Sequence, residues 1–286
     1  MIAAGWRRLL VLVGLALAGP TGTITVAGCA HAPRFPAVHA LNDASVATRL
    51  QVAAARRHAV DGVAKAGLPG VGGAVASVTV DVIAAAPDRL MVAVRSFFEA
   101  PQQIVVAHGD VVTLYDATAG SPQFLRGPAD EGTLRRVLGL PLLPDDAVAL
   151  LLGRAPVDAV ADRALPRVRL VAVDDDDGTY TARVERDAAD RRGAWVVTAR
   201  VTDDALVGVV VEGRDGRALV RARCSDFVEV GGAAFARRLE LTLVDAPAGG
   251  PGVVVLSLPQ ATWNPASLPE GAFVLEPPPD VVVHPL

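Results

Sequence analysis

The stretch that decides the fold is SVTVDVIAAAPDRLMVAVR, residues 77–95. Val78, Val80 and Val82 alternate with Ser77, Thr79 and Asp81. Leu90, Val92 and Val94 alternate with Met91, Ala93 and Arg95. Side chains two apart share one face of a strand, so each run predicts a strand with an apolar face. Ala86-Pro87-Asp88 between them carries turn chemistry. The pair reads as an antiparallel hairpin.

Strand-like segments continue outward. Gln103–Ala107 and Val111–Tyr115 flank His108-Gly109-Asp110, a tight hairpin turn, and Gln123–Arg126 predicts a further short strand. The period returns at Arg167–Val173 and Thr179–Arg186, on either side of Asp174–Gly178. Trp195–Thr202, Ala205–Glu212, Ala218–Asp226, Phe235–Asp245 and Val253–Leu258 follow as strands. Between the two groups the spacing becomes helical. Leu134, Val137 and Leu138 follow Asp130, a fitting N-cap. Pro144-Asp145-Asp146 opens a second short helix, with Val148, Leu151 and Leu152 on one face and Gly153 beyond its end.

The flanks are less regular. Asp43–Lys65 reads either as a helix capped by Asp43 or Ser45, or as an early strand followed by a helix. Leu68–Gly73 reads as a broken, glycine-rich loop. The Pro-rich tail, Trp263–Leu286, is expected to pack over the body. The sum is about ten antiparallel strands with a helical insertion. That makes the chain mainly β (α+β), a strongly curved sheet or barrel. A barrel of this size can hold one apolar ligand.

The N-terminus carries an address. Arg7 and Arg8 precede an apolar run, Leu9–Ala18, and small residues close the segment at Val26-Ala27-Gly28-Cys29. This order is that of an export signal, and the run is too short to span a bilayer as a helix. Val26-Ala27-Gly28-Cys29 resembles the bacterial lipobox. That resemblance implies that residues 1–28 are a lipoprotein signal peptide and that Cys29 becomes the lipid-bearing first residue. The implied modification needs a nucleophilic sulfur. Residues 29–42 then form a tether, and 43–286 a single domain. The resemblance also implies outer-membrane placement, because Ala30 and not an Asp follows the cysteine.

Composition narrows the partners. The hydrophobic fraction of 51% supplies a core, and the formal charge of −4 argues against nucleic acid. With Cys29 lipidated, Cys224 has no intramolecular partner, so a disulfide framework is excluded and a buried thiol is expected.

Several short segments together carry a family likeness. They are Pro87-Asp88-Arg89-Leu90, Phe97-Phe98, Leu114-Tyr115-Asp116 and Phe124-Leu125-Arg126-Gly127-Pro128. Leu138-Gly139-Leu140-Pro141-Leu142, Asp145-Asp146 and Leu151-Leu152-Gly153-Arg154 continue the series, and Asn264-Pro265, Phe273 and Glu276-Pro277-Pro278 close it. In this order the chain resembles the LolA/LolB-like lipoprotein superfamily, over roughly Val75–Pro285. Asp43–Gly73 does not match that pattern cleanly. The resemblance implies an unclosed antiparallel β-barrel with a mid-chain helical lid. It implies a lipid-anchored periplasmic protein that binds acyl chains or other lipoproteins and touches membrane lipid through Cys29. A structural or sensory envelope protein, using the same fold as an interaction module, is the alternative.

Candidate contacts follow. The resemblance points to Phe97 and Phe98, in the connection between two strands, as residues that touch lipid; the other reading packs Phe97 inside and lays Phe98 over the barrel rim. Leu134, Leu138, Leu142, Leu151 and Leu152, with Val137, Leu143 and Val148, form an apolar helical cluster. The cluster reads equally as a lid over a lipid cavity and as a plug for the open side of the sheet. Asp174–Gly178 lacks the later acidic ligand of a calcium loop and reads as a solvated turn. No nucleophile elbow, H-E-x-x-H or P-loop is present, and the five His residues show no metal-ligand spacing. The expectation is a monomeric, non-enzymatic binding protein without a cofactor other than its covalent lipid.

Overall fold

The computed structural model describes residues 40–69, 75–96, 100–118, 121–157, 166–186, 193–244, 252–279 and 281–286. In it the period-two segments pair in chain order. β1 (Ala59–Pro69), β2 (Val75–Ala85), β3 (Arg89–Arg95), β4 (Pro101–His108), β5 (Val111–Asp116) and β6 (Gln123–Pro128) form one antiparallel meander. β7 (Arg167–Asp174), β8 (Thr179–Glu185), β9 (Trp195–Arg200), β10 (Leu206–Glu212), β11 (Ala218–Val230), β12 (Ala233–Leu243) and β13 (Gly252–Trp263) form a second. The meanders join where β1 pairs with β13. A short β14 (Val283–Pro285) adds to β6 in parallel. One sheet of fourteen strands results, with β14 and β7 at its free ends. The barrel is therefore not closed, and the link from β6 to β7 carries α2 (Glu131–Leu138) and α3 (Pro144–Leu152).

β1 and β14 go beyond the strands read from the sequence, and β1 was hidden for a physical reason. The inward face of β1 is Val60, Gly62, Ala64 and Ala66, too small to produce a hydrophobic alternation. Yet small residues are what the join of the meanders requires. A Cβ on Gly62 would stand 2.6 Å from Ala261 Cα and 2.7 Å from Gln260 O. The register there shifts between Val63 and Lys65, so one strand gains a residue on the other. Pro259 falls in that irregular stretch, where its missing N–H costs no ladder bond. Asn264 then latches the end of β13: its Oδ1 accepts from His58 N (3.0 Å) and Ala59 N (3.2 Å), and its Nδ2 donates to Arg56 O.

Asp43–Lys65 resolves into α1 (Asp43–Ala55) followed by β1, so the helix precedes the strand. Neither Asp43 nor Ser45 is the N-cap. Asn42 caps the helix, with Ser45 returning a bond to the Asn42 N–H in a capping box. Asp43 instead accepts from Leu170 N at 2.8 Å and covers part of the free β7 edge. Asp130 caps α2 as expected, accepting from Thr133 N at 2.7 Å, and Pro144 opens α3. β11 and β12 run past their expected ends and meet at Gly231-Gly232. Both glycines have positive φ (59° and 74°), the backbone of a two-residue hairpin turn. The tail does pack on the body: Phe273 lies under the Arg89 guanidinium, 5.1 Å from ring centre to Cζ.

Candidate functional site

Period two places Val78, Val80 and Val82 of β2 and Leu90, Val92 and Val94 of β3 on the concave face. Leu239 and Leu241 of β12 and Val254 and Leu256 of β13 face the same space across the β1–β13 join. Val137 and Leu138 of α2, Leu140 and Leu142 of the linker, and Ala147, Leu150 and Leu151 of α3 cover it. Between sheet and helices lies a cavity of about 320 Å³. Its wall contains no charged side chain, and Gln103 of β4 is its one polar side chain.

The wall is graded. Val82, Leu90 and Leu239 are buried, whereas Val78, Val94, Gln103 and Val254 are part-exposed. The part-exposed group stands toward the end of the sheet where β1 connects to β2, β3 to β4 and β12 to β13. The cavity thus opens toward those connections and is blind toward the Ala86–Asp88 turn. At the open end Gln103 Nε2 donates to Asp116 Oδ2 at 3.0 Å. Burial pushes the Asp116 carboxyl up, but bonds from Thr118 Oγ1, Thr118 N and Gln103 outweigh it and hold the group below its ordinary value.

Polar bonds pin the roof at both ends of α3. Asp146, in its first turn, accepts from Trp195 Nε1 of β9 at 3.1 Å and forms a buried ion pair with Arg186. Beyond its last turn, Arg154 Nη1 donates to Arg57 O at 3.1 Å. Arg57 is itself 1% exposed. It donates to Ala53 O and Ala234 O and lies against the Phe235 ring. Burial lowers its pKa, against the opposing pull of Asp203 and Asp204. Asp204 also accepts from Arg49 Nε and from Tyr180 OH, each at 2.8 Å, which ties α1 to β8 and the β9–β10 turn. Burial first, and Asp204 second, raise the Tyr180 pKa, so this phenol stays a donor.

The residues singled out in the sequence fall in three places. Leu138, Leu142 and Leu151 stand on the cavity wall. Leu134 and Leu152 are 0% exposed and sit in the core, not on that wall; they hold the helices down. Phe97, Phe98 and Cys29 lie outside the described residues. Cys224 is buried, and burial raises its thiol pKa to about 11. Asp174 accepts from Asp176 N and Asp177 N, closing the turn to β8. Among the described residues no three His, Cys, Asp or Glu side chains gather as a metal site, and no helix is long and apolar enough to cross a membrane.

Sequence reasoning missed Gln103 and the arginine anchors. Gln102-Gln103-Ile104-Val105-Val106 has no alternation, so it does not announce which glutamine faces inward. The anchors bond mostly to backbone carbonyls and to acids far along the chain, pairings no local pattern encodes.

Solved structures share this architecture. A LolA superfamily protein from Nitrosomonas europaea matches with a TM-score of 0.56 at 15% identity, over 82% of this chain and 99% of that one. An outer membrane lipoprotein-sorting protein domain from Vibrio parahaemolyticus matches with a TM-score of 0.56 at 10% identity, over 80% and 95%. A DUF1329 family protein from Desulfovibrio piger gives 0.56 at 12% identity, over 80% and 94%. No protein-family model and no curated protein matches the chain by sequence. The fold is LolA/LolB-like: an unclosed, curved antiparallel sheet with a helical lid.

Proposed function

We propose, from a LolA-like fold built around an uncharged cavity, that this protein binds acyl chains at the bacterial envelope. The observation that carries the reading is the cavity wall, which is aliphatic apart from Gln103 and lacks any charged side chain. Such a wall binds by removing apolar surface from water, about 0.8 kcal/mol gross per methylene, less the cost of ordering the chain. Transfer down an affinity gradient then needs no cofactor or energy source. In this reading lipid on Cys29 holds the domain at the periplasmic face of the outer membrane. The tether lets the cavity meet the membrane surface, and lipoproteins bound for that membrane are fitting cargo. The role of the Vibrio parahaemolyticus domain, lipoprotein sorting, supports this direction.

Uptake of a fluorescent acyl probe by the chain from Ala30 onward tests the proposal. Saturable binding is expected. Val92→Trp fills the cavity and is expected to lower probe affinity at least tenfold while leaving the melting transition in place. A domain that takes up no probe contradicts the acyl reading and leaves the interaction-module reading standing.

A further inference from the structure

We infer that the outer face of β11–β13, beside the cavity mouth, docks on an anionic phospholipid surface. This face is the back of one cavity wall. β12 turns Leu239 and Leu241 to the cavity and, by period two, Arg238 and Glu240 outward. β13 turns Val254 and Leu256 in and Val253 and Val255 out. β11 buries Val220, Ala222 and Cys224 and leaves Arg221 and Arg223 exposed. β1 adds Lys65, exposed opposite Ser257.

Pairing sets these side chains in three rows. Arg221 lies opposite Thr242, and Thr242 opposite Val253. Arg223 lies opposite Glu240, and Glu240 opposite Val255. Arg238 lies between Ser225 and Ser257, with Lys65 on the next strand. Strands stand about 4.8 Å apart, and alternate residues about 7 Å, so the four cations share a patch about 20 Å across. Glu240 is the carboxylate in those rows. Among the described residues none of the four cations is ion-paired, whereas Arg169 and Arg183, further round the sheet, pair with Glu185 and Glu212. The patch therefore stands out on a chain of formal charge −4.

Its layout fits a lipid surface. The cations are spread over three rows instead of converging on one point, as an array of headgroup phosphates requires, and an anionic bilayer attracts each of them. Val253, and Val244 just past β12, are exposed at the end of the face nearest the mouth. Apolar residues beside basic ones suit the headgroup boundary. The link from the proposed anchor at Cys29 to Asn42 extends at most about 45 Å, which keeps the face within reach of the membrane. Docking there sets the cavity mouth at the membrane surface. The inference concerns the outside of the wall and stands whether or not the cavity takes acyl chains, because probe uptake in solution reads the cavity separately.

Vesicle co-sedimentation of the chain from Ala30 onward, which keeps every described element, tests this. The probes are phosphatidylcholine vesicles without phosphatidylglycerol and with about 30% of it. Partition onto the anionic vesicles is expected to exceed that onto the neutral ones about tenfold or more, and to fall at high salt. Each cation contributes about fivefold, so Arg221→Gln with Arg223→Gln is expected to lower partition about twentyfold and to leave the melting transition in place. Arg56, beside Gly232, and Arg237, paired with Asp226, lie toward the blind end of the sheet. Arg56→Gln with Arg237→Gln removes the same charge there and is expected to change partition by less than about threefold. Equal losses from the two variant pairs would assign the binding to net charge and overturn the face. Equal partition onto both vesicle types overturns the inference. So does partition onto neither, which would leave an acidic protein surface as the partner of the patch.

Discussion

At the scale of single residues, the site depends on polar groups that are not in its wall. Asp146 fixes the first turn of α3 to Trp195 and Arg186, in a pair whose side chains are 7% and 6% exposed. Removing one partner of a buried pair leaves the other charge without compensation, at about 3–5 kcal/mol. Asp146→Ala is therefore expected to lower the unfolding free energy measured in urea by that much, and to loosen the roof so that probe release quickens. Asp146→Asn keeps an acceptor for Trp195 Nε1 and is expected to cost less. Equal loss in both variants would show that the charge, not the indole bond, holds the helix. Asp146 was visible in the sequence only as a first-turn acid beside Pro144. Its ring and guanidinium partners lie 49 and 40 positions away, beyond any local pattern. Gln103 was hidden for a similar reason, since its strand lacks alternation.

At the scale of elements, the decisive join is between β1 and β13, because it makes one sheet of two meanders. Gly62 stands where a Cβ would meet backbone at 2.6 Å, so the strands must part to admit one. Gly62→Ala is expected to destabilise by about 1–3 kcal/mol, as overpacking does. Gly208→Ala is the control: its nearest neighbour is Thr198 Cβ at 3.6 Å, an ordinary contact. Thermal melts of the two compare them directly, and equal melting points would show that the join tolerates separation. Elements with large alternating residues, such as β2, β3 and β12, were legible in the sequence, as were α2 and α3 from their caps and prolines. β1 was not, because a strand whose inward face is valine, glycine and alanine shows no apolar alternation, and most of it was read as helix. The cap of α1 was misplaced by one position or more because Asn42, Asp43 and Ser45 are all good cap formers, and tertiary contact with Leu170 drew Asp43 elsewhere.

At the scale of the molecule, the free ends of the sheet and the helices between them are one feature. The chain leaves β6, builds α2 and α3, and returns at β7, so the segment that keeps the barrel open also roofs it. Such a sheet encloses an apolar space without sealing it. The proposed anchor gives that space its reach: Cys29→Ala is expected to move the protein from the membrane fraction to the soluble periplasm, and to abolish metabolic labelling by a palmitate analogue. Persistence of label would place the lipid elsewhere. The central claim is that the occupied space is the one under the helices. A second hollow, of about 390 Å³, lies on the outer face of β2–β4 beside the Asp81–Arg95 ion pair, partly covered by Val274 and Leu275. A crystal structure of the protein with a bound dodecanoyl chain separates the two. An acyl chain between Leu90 and Leu151 is expected. A chain lying instead against Met91 and Val274, with the inner cavity filled by its own side chains, would contradict it.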